Sequence, residues 1–303
     1  MLPGVWDRLC RFACTQTMKG ISDRPETTAG SSPEAARPHL SVVIPVYNEA
    51  FRIPSALRQI LDYLEGRGES YEVLVVDDGS TDNTAERVAE VCRQTPAVRS
   101  LRHPANQGKG FAVRDGMLNA RGEYLVFTDA DLSSPITEAE RLLEPLRGGY
   151  DVVIGSRALR REWVQPRQPW LRETGGRTFN LFVRALAGLD FRDTQCGFKA
   201  FRREAARAVF SCQTIPGFGF DVEILYLARK FGYRVLETPV HWGNDARTKV
   251  HPLRDGQRMF LDLLRIRWND WRGKYRSQPR PRARRSAGPG ESEGRSQKNR
   301  QED

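Results

Sequence analysis

Tyr124-Leu125-Val126-Phe127-Thr128-Asp129-Ala130-Asp131 is the stretch on which the fold turns. Four apolar residues in a row, without polar alternation, mark a strand buried on both faces, as in a parallel sheet. The run ends in two carboxylates one residue apart. Hard oxygen ligands at that spacing suit Mg²⁺ or Mn²⁺, and such an ion commonly neutralises a diphosphate. The plainer alternative is that Asp129 and Asp131 cap a helix begun by Ser133, Ser134 and Pro135. Asp-x-Asp alone is a short and common string, so the rest of the chain has to decide.

Upstream the same pattern recurs twice. Val73-Leu74-Val75-Val76 ends in Asp77-Asp78-Gly79-Ser80 and passes into a helical pattern over Ala85–Cys92. Leu40-Ser41-Val42-Val43-Ile44 ends in Pro45-Val46-Tyr47-Asn48-Glu49-Ala50 and leads to a helix through Leu64. Strand, polar loop and helix in repeated order predict an α/β fold. Its sheet is mostly parallel, helices cover both faces, and the chemistry gathers at the carboxyl ends of the strands. Downstream, Val152-Val153-Ile154 ends in Gly155-Ser156-Arg157, and Tyr233–Val240 reads as an edge strand because of Pro239.

The strings VVIPVYNEA, VVDDGSTDNT, NQGKGFAVRDGM, FTDADLS and DTQCGFKAF, in that order, resemble the family 2 glycosyltransferases of the GT-A, Rossmann-like fold. Within that family they look most like the dolichyl- and polyprenyl-phosphate glucosyl- and mannosyltransferases. The resemblance runs from Leu40 to Arg258. It implies a nucleotide-sugar donor bound by Pro45, Tyr47, Glu49, Asp77, Asp78, Lys109, Asp129, Arg157, Arg247 and Lys249. It also implies Mg²⁺ or Mn²⁺ held by Asp129 and Asp131, and catalytic roles for Asp131, Asp193 and Asp221. Ser133 stands where mannosyltransferase relatives often carry Gln, which resembles the glucosyltransferase branch.

The residue chemistry fits those roles, with a plainer reading beside each. Asp77 and Asp78 can accept hydrogen bonds from a base or ribose, or can cap a turn with Ser80. Gly108-Lys109-Gly110 lets backbone approach an anion, or simply starts a helix over Phe111–Ala120. Arg157 is a permanent fork suited to phosphate oxygens. The segment Ala158–Gly176, rich in Arg, Trp and Pro, looks like an acceptor-side loop, and Asn180–Leu189 reads as an apolar helix. Lys199 is more often buried along its stem than catalytic, though it suits an acceptor phosphate. Asp221 is a base, an orienting group or a helix cap. Arg247 and Lys249 belong to a loop that resembles one closing over the diphosphate, or form a solvated basic loop. A polyprenyl phosphate is anionic at neutral pH and attacks without a base. The Gln-x-x-Arg-Trp motif found beside the aspartate base of many relatives with sugar acceptors is absent.

Composition bounds the rest. The 303 residues carry 48 Lys+Arg against 38 Asp+Glu and are 39% hydrophobic, enough for one large domain but not for a multispanning membrane protein. Five scattered cysteines make neither a disulfide framework nor a zinc site, which points to a reducing, cytoplasmic setting. No signal peptide is evident and no stretch reaches the roughly 20 apolar residues of a membrane span. The expected organisation is residues 1–38 as an amphipathic segment (Val5-Trp6-Leu9-Phe12-Ala13) and linker, and 39–256 as the catalytic domain. Residues 257–275 are expected as an amphipathic helix carrying Phe260, Leu263, Leu264, Trp268 and Trp271, either on a membrane surface or packed as an ordinary helix on the domain, and 276–303 as a disordered basic tail. Peripheral attachment to the cytoplasmic membrane face is expected; nucleic acid is not, for want of a binding fold. The reaction expected is inverting transfer of a hexose from UDP-glucose to a polyprenyl phosphate. A GDP-mannose donor, a polysaccharide acceptor and a catalytically silent nucleotide-sugar-binding scaffold stay open, as does the oligomeric state.

Overall fold

The computed structural model describes residues 37–165, 181–243 and 252–276, with backbone alone at 252–255. The expected segments Val5–Ala13, the tail from 277, much of Ala158–Gly176, and the loop with Arg247 and Lys249 lie outside the described residues.

The central sheet has seven strands in the order β3-β2-β1-β4-β7-β5-β8. They are β1 (Leu40–Val46), β2 (Tyr71–Asp77), β3 (Val98–Arg102), β4 (Tyr124–Phe127), β5 (Val152–Ser156), β7 (Lys199–Arg202) and β8 (Val235–Pro239). Only β7 runs antiparallel to its neighbours, β4 and β5. Two short strands, β6 (Val164–Gln165) and β9 (Trp242–Gly243), pair separately. The edge position of β8 agrees with its proline.

Strand periodicity explains why both faces are apolar. Val43, Leu74, Val76, Leu125 and Phe127 pack on one side against α3 (Lys109–Asn119), α5 (Arg203–Cys212) and α6 (Phe220–Lys230). Val42, Ile44, Val73, Val75 and Val126 pack on the other against α1 (Ile53–Glu65), α2 (Thr84–Gln94) and α4 (Ala139–Arg147). Alternate residues point to opposite layers, and each layer is covered, so the strands read as unbroken hydrophobic runs.

Two sequence expectations are corrected in detail, and one strand is added. Pro45 and Val46 belong to β1 rather than to the loop after it. β4 pairs with β1 only as far as Val43, so Pro45 falls where β1 has a single neighbour and its missing N–H disturbs one ladder at most. Ser133 and Ser134 do not start a helix; a 3₁₀ turn at Ile136–Glu138 leads into α4. The signature after Asp193 contains β7, whose Lys199–Arg202 had no strand pattern of its own.

Chain order reverses across β1. The chain steps outward through β2 and β3, then returns by α3 to β4 on the other side of β1. The carboxyl ends of β1 and β4 therefore border a switch-point crevice, where ligands of open α/β sheets bind.

Candidate active site

β4 delivers Thr128 to Asp131 into that crevice. Thr128 N donates to Val43 O at 3.0 Å, the last tie to β1 before the acidic turn. Asp129 Oδ1 accepts from Lys109 Nζ at 2.6 Å. Asp131 is exposed to the crevice, and its Oδ1 accepts the Ser133 N–H at 2.9 Å. Between them the backbone turns through Leu132 at φ 47°, a left-handed conformation that costs a leucine about 1 kcal/mol and is typical of functional turns. The Asp129 carboxylate lies against Gly197, where a Cβ would overlap it, so glycine there gives the acid its room.

The electrostatics favour a cation. Desolvation within the crevice raises the Asp131 pKa, and the neighbouring charge of Asp129 raises it further. Burial opposes the charge on Lys109, but Asp129, Asp221 and Asp131 together hold its pKa above the ordinary lysine value. Among the described residues no group of three His, Cys, Asp or Glu forms a complete metal cage. Two carboxylates already drawing an ammonium fit a hard dication that takes its other ligands from phosphate and water.

Behind the acidic turn sit two further pairs. Asp193 receives the whole guanidinium fork of Arg157: Nε to Oδ2 at 2.7 Å, Nη2 to Oδ1 at 2.9 Å, with the Arg157 N–H adding 3.0 Å to Oδ2. Burial would raise the Asp193 pKa; Arg157 outweighs it and holds the carboxyl below the usual range. Lys199, fully buried, donates to Asp221 and, at 2.6 Å, to Cys196 O. Asp221 stands near the start of α6 without capping it. Burial raises its pKa despite Lys199 and Lys109. Arg157 is engaged with Asp193, Lys199 is buried as its plainer reading had it, and both base candidates are ion-paired.

At the ends of β1 and β2 the placement is uneven. Asp77 is buried; its Oδ1 accepts from Ser80 N at 2.9 Å, while Oδ2 makes no hydrogen bond although Arg102 Nε lies 3.3 Å away. A buried carboxylate oxygen with an ion-pair neighbour but no hydrogen bond keeps acceptor capacity for a base or ribose group. Asp78 is spent internally, accepting from Gln107 N at 3.0 Å, Gly108 N at 2.8 Å and His103 Nδ1 at 2.8 Å. Tyr47 is 39% exposed at the rim, and Glu49 pairs with Arg52 at 3.0 Å. Gly108, at φ 107°, lets the loop enter α3, whose first residue is Lys109.

Residues 41–210 match the model of glycosyl transferase family 2, just over half of the chain. The chain belongs to glycosyl transferase family 2. This family 2 chain is 36% identical over 242 residues to a dolichyl-phosphate β-glucosyltransferase of Dictyostelium discoideum, covering 76% of this chain and 74% of that one. The dolichyl-phosphate β-glucosyltransferase of Homo sapiens is 37% identical over 251 residues, covering 78% and 77%. Among solved structures, glucosyl-3-phosphoglycerate synthase from Mycobacterium tuberculosis, crystallised with Mn²⁺, UDP and phosphoglyceric acid, superposes with a TM-score of 0.56. It covers 78% of both chains at 22% identity. That likeness shows the GT-A fold expected from the sequence. The same synthase has also been crystallised with Mg²⁺ and UDP.

Three residues that organise this family 2 site gave no motif signal. His103 links Asp78 to Asp115, with Nε2 at 3.0 Å from Asp115 Oδ2. Glu223, completely buried, accepts from Thr214 N, Thr214 Oγ1, Ile215 N and Tyr275 Oη. Gln213 Nε2 reaches Gly110 O at 2.8 Å and Ile215 O at 3.0 Å, tying α5 to the start of α3. Glu223 and Gln213 hold loops through backbone groups and His103 does so through two carboxylates, functions that residue type does not encode.

Proposed function

We propose that this glycosyltransferase moves glucose from UDP-glucose to a polyprenyl or dolichyl phosphate, with inversion, giving a lipid-linked β-glucosyl phosphate. Support comes from the relatives named dolichyl-phosphate β-glucosyltransferase over three-quarters of both chains. The observation that carries the chemistry is the Asp129–Asp131 turn at the switch point, with Lys109 against it. Asp129 and Asp131 would hold Mg²⁺ or Mn²⁺, which when bound supplies positive charge against a departing diphosphate.

The chain's own residues do the rest. Asp77 Oδ2 faces the nucleoside, Tyr47 flanks it at the rim, and Pro45 and Glu49 shape the loop that carries Tyr47. Lys109 lends a further positive charge where the diphosphate lies. The acceptor phosphate oxygen attacks the anomeric carbon as its bond to UDP breaks, and no proton has to be removed. The pairing of Asp193 with Arg157 and of Asp221 with Lys199 agrees with a reaction that needs no base. Those two aspartates then position Arg157 and Lys199 beneath the sugar site. Arg247 and Lys249 complete the proposal as diphosphate contacts.

A lipid acceptor calls for a membrane surface. No described helix is long and apolar enough to cross a membrane. Helix α7 (Pro252–Trp271) buries Leu263, Ile266 and Asn269 against the domain. It presents Phe260, Leu264, Trp268 and Trp271 outward, at spacings of four, four and three residues that share one face. Leu263, expected among the outward residues, faces the core instead. Exposed Arg258, Arg265 and Arg272 flank the stripe, with Arg272 over the Trp268 ring at 4.7 Å. Phe182 extends it, edge-on to Phe260 at 5.3 Å. A stripe of aromatic and leucine side chains edged by arginines suits an anionic lipid surface, and we assign α7 to peripheral attachment on the cytoplasmic face.

The test is a donor and acceptor panel with Mn²⁺ or Mg²⁺, following released nucleoside diphosphate and lipid-linked sugar together. Lipid-linked hexose from UDP-glucose supports the reading, and the same product from GDP-mannose alone reassigns the sugar. Nucleotide release without lipid product moves the acceptor elsewhere, to a polysaccharide or other soluble molecule. UDP binding without turnover of any sugar nucleotide returns the scaffold reading.

A further inference from the structure

His103 sits at the end of β3 with 7% of its surface exposed, between two carboxylates from different elements. Nδ1 is 2.8 Å from Asp78 Oδ1 in the loop after β2, and Nε2 is 3.0 Å from Asp115 Oδ2 on α3. A neutral imidazole has one N–H and one bare nitrogen, and a bare nitrogen at that distance from a carboxylate oxygen is repelled. Both contacts are attractive only when both nitrogens carry hydrogen, so the geometry calls for an imidazolium. The remaining neighbours are fixed. The Phe111 ring stands edge-on at 5.0 Å, Arg102 turns to Asp77 at 3.3 Å, and Asp115 Oδ1 accepts from Asn119 Nδ2 at 2.9 Å.

What Asp78 does with its other contacts gives His103 a consequence at the site. The same carboxylate accepts the N–H groups of Gln107 and Gly108, the two residues that precede Lys109. Lys109 in turn reaches Asp129 at 2.6 Å. Hydrogen bonds thus run from Asp115 through His103 and Asp78 to the Gln107–Gly108 turn, and the next residue, Lys109, reaches Asp129.

We propose that His103, shared between Asp78 and Asp115, is a positioning residue that fixes the Gln107–Gly108 turn and so aims Lys109 at Asp129. The inference rests on the donor site proposed above only for its effect on nucleotide binding; the hold on the turn stands apart from it. A pH dependence follows. Burial opposes the imidazolium, but the two carboxylates outweigh burial and raise the His103 pKa above its ordinary value of about 6.5. The link is therefore complete below pH ~6.5 and is lost as pH rises through the raised folded-state value.

The experiment reads protection factors of the Gln107 and Gly108 amides by hydrogen exchange in the full chain, across pH and in three variants. His103→Asn keeps an N–H₂ near the Nδ1 position, toward Asp78. His103→Gln places its amide toward Asp115 and leaves Asp78 short of a donor. Asp115→Asn gives Nε2 an amide donor, so a neutral imidazole can still donate to Asp78. In the wild type, protection of the two amides falls on the alkaline side while the β1 and β2 amides stay protected. H103Q lowers it roughly tenfold on the acid side and converges with wild type on the alkaline side, H103N retains most of it, and D115N retains it without the alkaline loss. Equal protection in H103Q and wild type on the acid side, or a loss spread evenly over the sheet, overturns the proposal. UDP affinity with Mn²⁺, measured on the same proteins, is expected to weaken roughly tenfold in H103Q and little in H103N. If the wild type binds no UDP while the exchange pattern holds, the donor reading fails and the role of His103 stands. If UDP binds equally to all and exchange does not respond, the role of His103 falls.

Discussion

Lys199 and Asp221 form an ion pair with 0% and 5% of their side chains exposed. Removing one partner leaves a buried charge, which is costlier than never having had the pair. Lys199→Met is expected to lower unfolding free energy by about 3–5 kcal/mol in urea titration, and Lys199→Met with Asp221→Leu to recover part of it. Gly197→Ala tests a different kind of constraint, since its Cβ would displace the Asp129 carboxylate rather than disturb the core. Turnover should fall about 100-fold, as for a misplaced catalytic group, while the thermal midpoint moves little. The Asp193 pKa is depressed, so its contribution to stability is full above the ordinary value of about 3.9 and is lost as pH falls through the folded value. Acid titration followed by circular dichroism should show Arg157→Leu unfolding at higher pH than wild type. At this scale the sequence was only partly legible. Asp129 and Asp131 are recognisable because strand and turn are local, whereas the partners of Asp193 and Asp221 come from 36 and 22 residues away.

At the scale of elements, local periodicity told most where burial was simplest. β1, β2, β4 and β5 are continuous apolar runs because each has a helix layer on both sides. β7 was not recognisable, since Lys199-Ala200-Phe201-Arg202 places a buried lysine where a hydrophobic residue would signal a strand. For α7, the pattern gave an amphipathic helix but not which apolar residues face inward. Two apolar sets share it, one packed on the domain and one outward, and a single stripe is all that periodicity distinguishes. Replacing Trp268 and Trp271 together by Glu should leave the inner face intact. It should weaken binding to anionic liposomes roughly tenfold or more in flotation, without shifting the thermal midpoint. Unchanged flotation would remove α7 from the membrane role.

For the whole molecule, the order of strands and acidic loops carried the fold, because the switch point follows from topology rather than from any one residue. The excess of 48 Lys+Arg over 38 Asp+Glu agrees with an anionic surface as partner, but charge alone does not choose among anions. Sugar and acceptor were not legible in residue chemistry and came from likeness to named relatives. The most direct test is the identity and anomeric configuration of the sugar on polyprenyl phosphate after incubation with UDP-glucose and Mn²⁺, beside Asp131→Asn. A β-linked glucose formed by the wild type and lost at least about 100-fold in the variant is the predicted result. An α-linked product, no lipid-linked sugar, or full activity in Asp131→Asn would contradict the account.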